Sequence, residues 1–211
     1  MDGTLVDSEK VWDVALNELA ERAGGKLSLA ARHAMIGSNM GRSMQILRDD
    51  LGQPDRPEAP DVEWLTDRVF ELFAKGLVWR PGALELLRAV RAAGLPTALV
   101  TSTGRRLVEV ALRTIGAENF DAVVVGDEVK APKPDPEPYV TAAKLLGVPI
   151  NECVAIEDSP TGVASALASG AAVLAVPAEL ELPPTDGVHL RESLVGVDPA
   201  YLATLLAPVT H

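Results

Sequence analysis

Cys153-Val154-Ala155-Ile156-Glu157-Asp158-Ser159-Pro160-Thr161-Gly162 is the stretch that decides the fold. Its first four residues form a short apolar run of strand character, and Glu157-Asp158-Ser159 end it abruptly. A helix is expected from there to about Ser169, stopped by Gly170, before another apolar run from Ala171 to Val176. Strand, polar turn, helix and strand make one βαβ unit. The same rhythm runs upstream. Pro81-Gly82 opens a helix to about Ala93, and Pro96 to Val100 is an apolar run ending in Thr101-Ser102-Thr103-Gly104. A helix to about Ile115, the run Ala122 to Val125, and a helix from about Pro136 to Leu146 follow. Short buried strands alternating with helices predict a parallel sheet covered on both faces, a doubly wound α/β core.

The first half has a different period. Ser8 is placed to cap a helix through Val11, Ala15, Leu16 and Leu19, ended by Gly24-Gly25. Ser28 is placed to cap a second helix, stopping near Gly37, and a third runs from about Arg42 to Leu51. Gln53 to Asp61 holds three prolines and reads as a loop. A fourth helix runs from about Val62 to Lys75, with Leu65, Val69 and Phe73 on its apolar side. The expected organisation is an α/β core over 1–8 and 80–211, with an inserted helical domain over 9–79.

Composition narrows the function classes. With 47% hydrophobic and 23% charged residues, the 211-residue chain can build a packed core. A net charge of -11 gives no general attraction for nucleic acid or anionic membranes. It also repels phosphorylated ligands at long range, so a phosphate site would need a metal ion or a placed Lys. The single cysteine, Cys153, excludes an intrachain disulfide and a thiolate cluster, and His33, His189 and His211 show no ligand spacing. No apolar run approaches a membrane span and no secretory signal opens the sequence. A cytoplasmic protein, monomeric or weakly dimeric, is expected.

In parallel α/β sheets, ligands bind beyond the carboxyl ends of the strands. Four polar clusters fall there: Asp2-Gly3-Thr4, Thr101-Ser102-Thr103, Lys133-Pro134-Asp135-Pro136 and Glu157-Asp158-Ser159. Their order and spacing resemble the four motifs of haloacid dehalogenase-like hydrolases, specifically the β-phosphoglucomutase-like group with a helical cap inserted after the first motif. The resemblance covers nearly the whole chain. It implies a Mg²⁺-dependent enzyme acting on a small phosphorylated metabolite through an aspartyl-phosphate. Asp2 would be the general acid and base. Thr101 and Ser102 would bind the phosphate, and Lys133 would bind it and offset developing charge. Asp2, Glu157 and Asp158 would serve the metal. In the cap, Asn39, Arg42 and Ser43 match substrate-contacting positions by place alone.

The departure is in the first motif, Asp-x-Asp-Gly-Thr in the family, which here begins at x. The attacking carboxylate would directly precede Met1, on a strand central to the sheet. Without that strand, two neighbouring strands would have no partner between them. A displaced start is the expectation, because every other catalytic position is filled. The alternatives are a non-catalytic phosphometabolite-binding pseudoenzyme and a phosphosugar mutase. Trp12 stands where β-phosphoglucomutases carry a proton-transferring His, which argues for a phosphatase. Simpler roles stay open: Glu157-Asp158 as helix caps, Lys133 as a solvated lysine, Thr101 as a strand end, and Trp12 and Cys153 as packing.

Overall fold

The structure, a computed structural model, describes residues 1–206; His211 lies outside them. Four helices come first: α1 (Glu9–Arg22), α2 (Leu29–Met35), α3 (Met40–Asp50) and α4 (Glu58–Phe73). Leu16, Leu19, Leu65, Val69 and Phe73, at helical spacing on α1 and α4, are almost fully buried. Each such side chain removed from water contributes roughly 1.5–3 kcal/mol. Arg68 on α4 also donates to both carboxylate oxygens of Glu18 on α1, at 2.6 and 2.8 Å. Both partners are partly exposed, so this fork adds register more than stability.

Ser28 caps α2 as expected, accepting from the Ala31 N–H. Asn39 caps α3 through Oδ1, which accepts from the Arg42 N–H. Helix α4 starts earlier than the prolines suggested. Pro60 lies in its first turn, where a missing N–H costs no intrahelical bond.

The second half alternates α5 (Ala83–Ala92), β1 (Ala98–Val100), α6 (Arg105–Ile115), β2 (Ala122–Val124), α7 (Glu137–Leu146), β3 (Val154–Glu157), α8 (Pro160–Ser169) and β4 (Ala172–Ala175). Two further elements, β5 (Val188–Leu190) and α9 (Pro199–Leu205), close the chain. All ladders are parallel: β1 with β2, β3 with β4 and β4 with β5. This is the expected α/β class. α4 packs on α6, joining the helical half to the sheet half.

The strands form two sheets rather than one continuous sheet. Among the described residues, β1 is bonded only to β2 and β3 only to β4. Between them lies an apolar groove of about 460 Å³, lined by Leu86, Leu99, Val100, Ala155, Ile156 and Tyr139. Met1, Thr4 and Leu5 line it too.

Cys153 is partly buried and packs against the core around Ala155 and Val173, as expected, and its Sγ donates weakly to the Pro149 carbonyl at 3.4 Å. No helix of the described residues is long and apolar enough to cross a membrane.

Candidate active site

The four polar clusters do converge. Asp2, Thr101, Ser102, Lys133, Glu157 and Asp158 all line one cleft of about 110 Å³. The helical half supplies its other wall.

Asp2 sits where the two halves meet. Its Oδ1 accepts from Ser8 Oγ at 2.6 Å and from the Trp12 indole N–H at 3.3 Å. Its Oδ2 accepts from Thr103 Oγ1 at 2.7 Å and from Thr101 Oγ1 at 3.4 Å. Ser8 was expected as the cap of α1, but its side chain makes no capping bond and is fully buried against Asp2. A partly buried carboxylate with a hydroxyl in reach is a strong acceptor, so the side chain turns to it. Trp12 combines packing with recognition: it meets Phe73 edge-on at 6.3 Å while its N–H serves Asp2. Thr103 is the closest hydroxyl on Asp2 from the β1 turn. Thr101, the expected phosphate-binding hydroxyl, also accepts from the Thr103 N–H through its Oγ1 at 3.2 Å.

The loop Met1 to Val6 folds back on itself, with the Gly3 N–H donating to the Val6 carbonyl at 2.9 Å. Gly3 has φ +69°, and a Cβ built there would lie 2.1 Å from Asp158 Oδ2. Thr4 Oγ1 donates to the other oxygen of Asp158 at 2.6 Å. So this loop and the β3 turn are pressed together at Asp158. Gly3→Ala is expected to destabilise the protein by about 1–2 kcal/mol through its backbone alone. It also displaces the Asp158 carboxylate. Melting temperature reads the first effect, and an unchanged value would refute the close approach.

Lys133 follows a Pro and precedes another, with a cis Lys133–Pro134 peptide. Its ammonium donates to Glu157 Oε1 at 2.5 Å and to the Val100 carbonyl at 3.2 Å. Tyr139 on α7 donates to the same Glu157 oxygen. Lys133 and Glu157 are both almost fully buried, so this is a desolvated ion pair rather than a solvated lysine. Glu157 Oε2 accepts from the Asp158 N–H at 3.2 Å, and a Cβ at Gly162 would fall 2.0 Å from it. Both Glu157 oxygens are thus engaged by protein donors. Glu157 thereby anchors Lys133. The two acids do not cap α8, because Ser159 does, accepting from the Gly162 N–H at 3.1 Å.

The electrostatics follow from these contacts. Burial would raise the Glu157 carboxyl, but the charge and hydrogen bond of Lys133 outweigh it and hold the group below its usual range. Burial, then Glu157, raise the Tyr139 hydroxyl well above its usual value, so it stays a donor. Burial first, then the charge of Glu157, push the Asp158 carboxyl up to about 7. The cleft is lined by four carboxylates, Asp2, Glu9, Glu157 and Asp158, against two cations, Arg32 and Lys133.

The cap positions separate. Ser43 lines the cleft and Ser38 beside it lies 2.6 Å away, Oγ to Oγ. Arg42 is exposed and outside the lining, and Asn39 is turned to its capping bond. Arg32, which the sequence reading passed over, is 8% exposed and lines the cleft beside Glu9. Its Nη2 donates to Glu9 Oε2 at 2.6 Å and its Nε to Asp13. A buried arginine on a helix with no nearby acid in sequence leaves no local signal; its partners are on another helix.

Known proteins share this architecture. Residues 1–170 match the family described as haloacid dehalogenase-like hydrolase. Hexitol phosphatase A of Escherichia coli (strain K12) is 32% identical over 90% of this chain and 86% of its own length. The crystal structure of CbbY from Rhodobacter sphaeroides in complex with phosphate superposes with TM-score 0.85, at 29% identity over 96% of both chains. A mutant CbbY in complex with xylulose-(1,5)bisphosphate gives 0.84 at the same identity and coverage. With the matched residues spanning the cleft and most of the chain, the protein belongs to the haloacid dehalogenase-like hydrolases.

Proposed function

We propose that the protein is a Mg²⁺-dependent phosphatase of small phosphate monoesters, acting through an aspartyl-phosphate. The observation that carries the reading is the convergence of Asp2, Thr101, Lys133 and Asp158 on one cleft. The relative named hexitol phosphatase points the substrate toward phosphorylated sugars or polyols. The helical unit over 9–79 would close over the core and exclude bulk water.

Within this reading the chain's own groups divide the work. Asp2, held by four donors from both halves, protonates the leaving oxygen and then takes a proton from water. The hydroxyl of Thr101 and the N–H of Ser102 bind the phosphate. Lys133, fixed by Glu157 and Tyr139, offers positive charge to it. A strand seated in the groove between β1 and β3 would bring an attacking carboxylate to the edge where Asp2, Thr101 and Asp158 meet. That groove is apolar, is bounded by two parallel strand edges and has Met1 in its lining.

The residues fit Mg²⁺. Four carboxylates against two cations leave the cleft short of positive charge just where a phosphate dianion must enter. Among the described residues no three His, Cys, Asp or Glu form a ready-made metal cage. Mg²⁺ commonly uses one or two carboxylates completed by water and phosphate, which suits Asp158 and Asp2. The ion would supply charge neutralisation between attacking carboxylate and phosphate.

The test begins with the codons in frame upstream of Met1. An apolar run ending in Asp is expected. The protein carrying that run should turn over p-nitrophenyl phosphate with Mg²⁺ and stop with chelator. Turnover indifferent to metal would sink the reading.

A pH dependence follows from Asp158. Its folded carboxyl titrates near 7, far above its unfolded value of 3.8. The folded metal-free state therefore holds the proton more tightly, and this group's contribution to stability is lost as pH rises from about 4 to about 7. A cation at Asp158 must displace that proton. Mg²⁺ affinity is expected to weaken by roughly tenfold per pH unit below 7. The rise in melting temperature on adding Mg²⁺ should be small at pH 5.5 and large at pH 8. A rise independent of pH would remove Asp158 from the ligand set.

A further inference from the structure

We infer that the cap-side wall of the cleft admits only an uncharged, hydroxyl-bearing leaving group, so esters with a second phosphate or a carboxylate are poor substrates. This deepens the phosphatase reading and rests on it. The core wall supplies Lys133 and the metal-binding acids for one phosphate. The opposite wall, from α1 to α3, must receive the rest of the molecule. There the cleft is lined by Glu9, Trp12, Arg32, Met35, Ser38 and Ser43.

Only Arg32 on that wall is cationic, and it is fully committed. It faces two carboxylates, Glu9 and Asp13, and is itself buried. The cluster therefore carries one positive charge against two negative ones. Burial raises the Glu9 carboxyl, and the hydrogen bond and charge of Arg32 oppose that shift. An incoming second anion would meet this acidic, desolvated pair. It would have to strip Arg32 from Glu9, leaving a buried carboxylate without its cation. Arg42, in the first turn of α3, is outside the lining. Neutral hydroxyls meet no such barrier. The Ser38 and Ser43 hydroxyls, paired at 2.6 Å, can each donate and accept, and Trp12 and Met35 offer apolar surface for carbon.

The experiment compares kcat/KM, with Mg²⁺, for a hexose 6-phosphate, the corresponding 1,6-bisphosphate and 2-phosphoglycolate. p-Nitrophenyl phosphate serves as the reference ester. The neutral monophosphate should exceed both others by at least about 30-fold. Glu9→Gln keeps the shape and frees half of Arg32's charge. It should narrow the monophosphate-to-bisphosphate ratio by about tenfold. Asp13→Asn, on the more exposed partner, should narrow it in the same direction. A bisphosphate or phosphoglycolate turned over within threefold of the monophosphate overturns the inference while leaving the phosphatase reading intact. So does a ratio that neither variant moves. Absence of turnover on every ester, p-nitrophenyl phosphate included, removes the phosphatase reading and this inference with it.

Discussion

Asp2→Asn lowers kcat by about 10²–10⁴-fold in the protein that carries the preceding Asp, while its melting temperature stays within a few degrees of the parent. The asymmetry follows from what holds Asp2. Its two oxygens accept from Ser8, Trp12, Thr101 and Thr103. Asparagine has the same shape and keeps one acceptor oxygen. Three of the four donors are hydroxyls, which can rotate and accept from the new NH₂ group. The network therefore survives with a different pattern of donors. Proton transfer does not survive, because an amide neither protonates a leaving oxygen nor takes a proton from water near neutral pH. A kcat within threefold of the parent would mean that Asp2 is only a latch between the two halves.

Lys133→Met acts on stability as well as chemistry. It removes the cation beside Glu157 and leaves a buried carboxylate facing Tyr139 and Asp158. A loss of about 3–5 kcal/mol is expected. Glu157 in the parent is held below its usual range, so the pair stabilises the fold above the unfolded carboxylate's titration and loses that effect as pH falls. In the variant the carboxyl is pushed up and takes a proton. The difference between parent and variant should therefore shrink toward acid pH. Lys133→Met combined with Glu157→Gln removes both charges and should recover most of the lost stability. Activity should stay down by about 10²-fold or more, since the phosphate has lost its positive partner. Recovery of activity along with stability would show Lys133 to be structural alone. Denaturant unfolding at several pH values and turnover of p-nitrophenyl phosphate distinguish these outcomes.

Much of this was legible in the chain. The alternation of runs such as Cys153–Ile156 and Ala171–Val176 with helices depends on local composition, and so the α/β class could be read directly. The placement of Thr101 and Asp158 beyond the ends of β1 and β3 followed from the same pattern. Less legible were β5 and α9. Val188–Leu190 is short and mostly exposed, and it is a strand because Val173 to Ala175 lie beside it. Ser8 looked like a cap because its sequence position suits one. Its actual partner, Asp2, is brought close by the fold of the loop between them.

What the sequence determined by itself is therefore the parallel α/β class and the four clusters that meet in one cleft. These rest on periodicity and on residue types, both local properties. Tertiary structure alone decided how each group is committed. It joined Glu157 to Lys133, and it placed Thr103 and Trp12 on Asp2. It also buried Arg32 between Glu9 and Asp13 and opened an apolar groove between β1 and β3. The physical reason is the same throughout. A buried charge takes whichever partner the packing brings within hydrogen-bond reach, and partners 20 to 30 residues apart, such as Lys133 and Glu157 or Glu9 and Arg32, are set by how helices and strands stack.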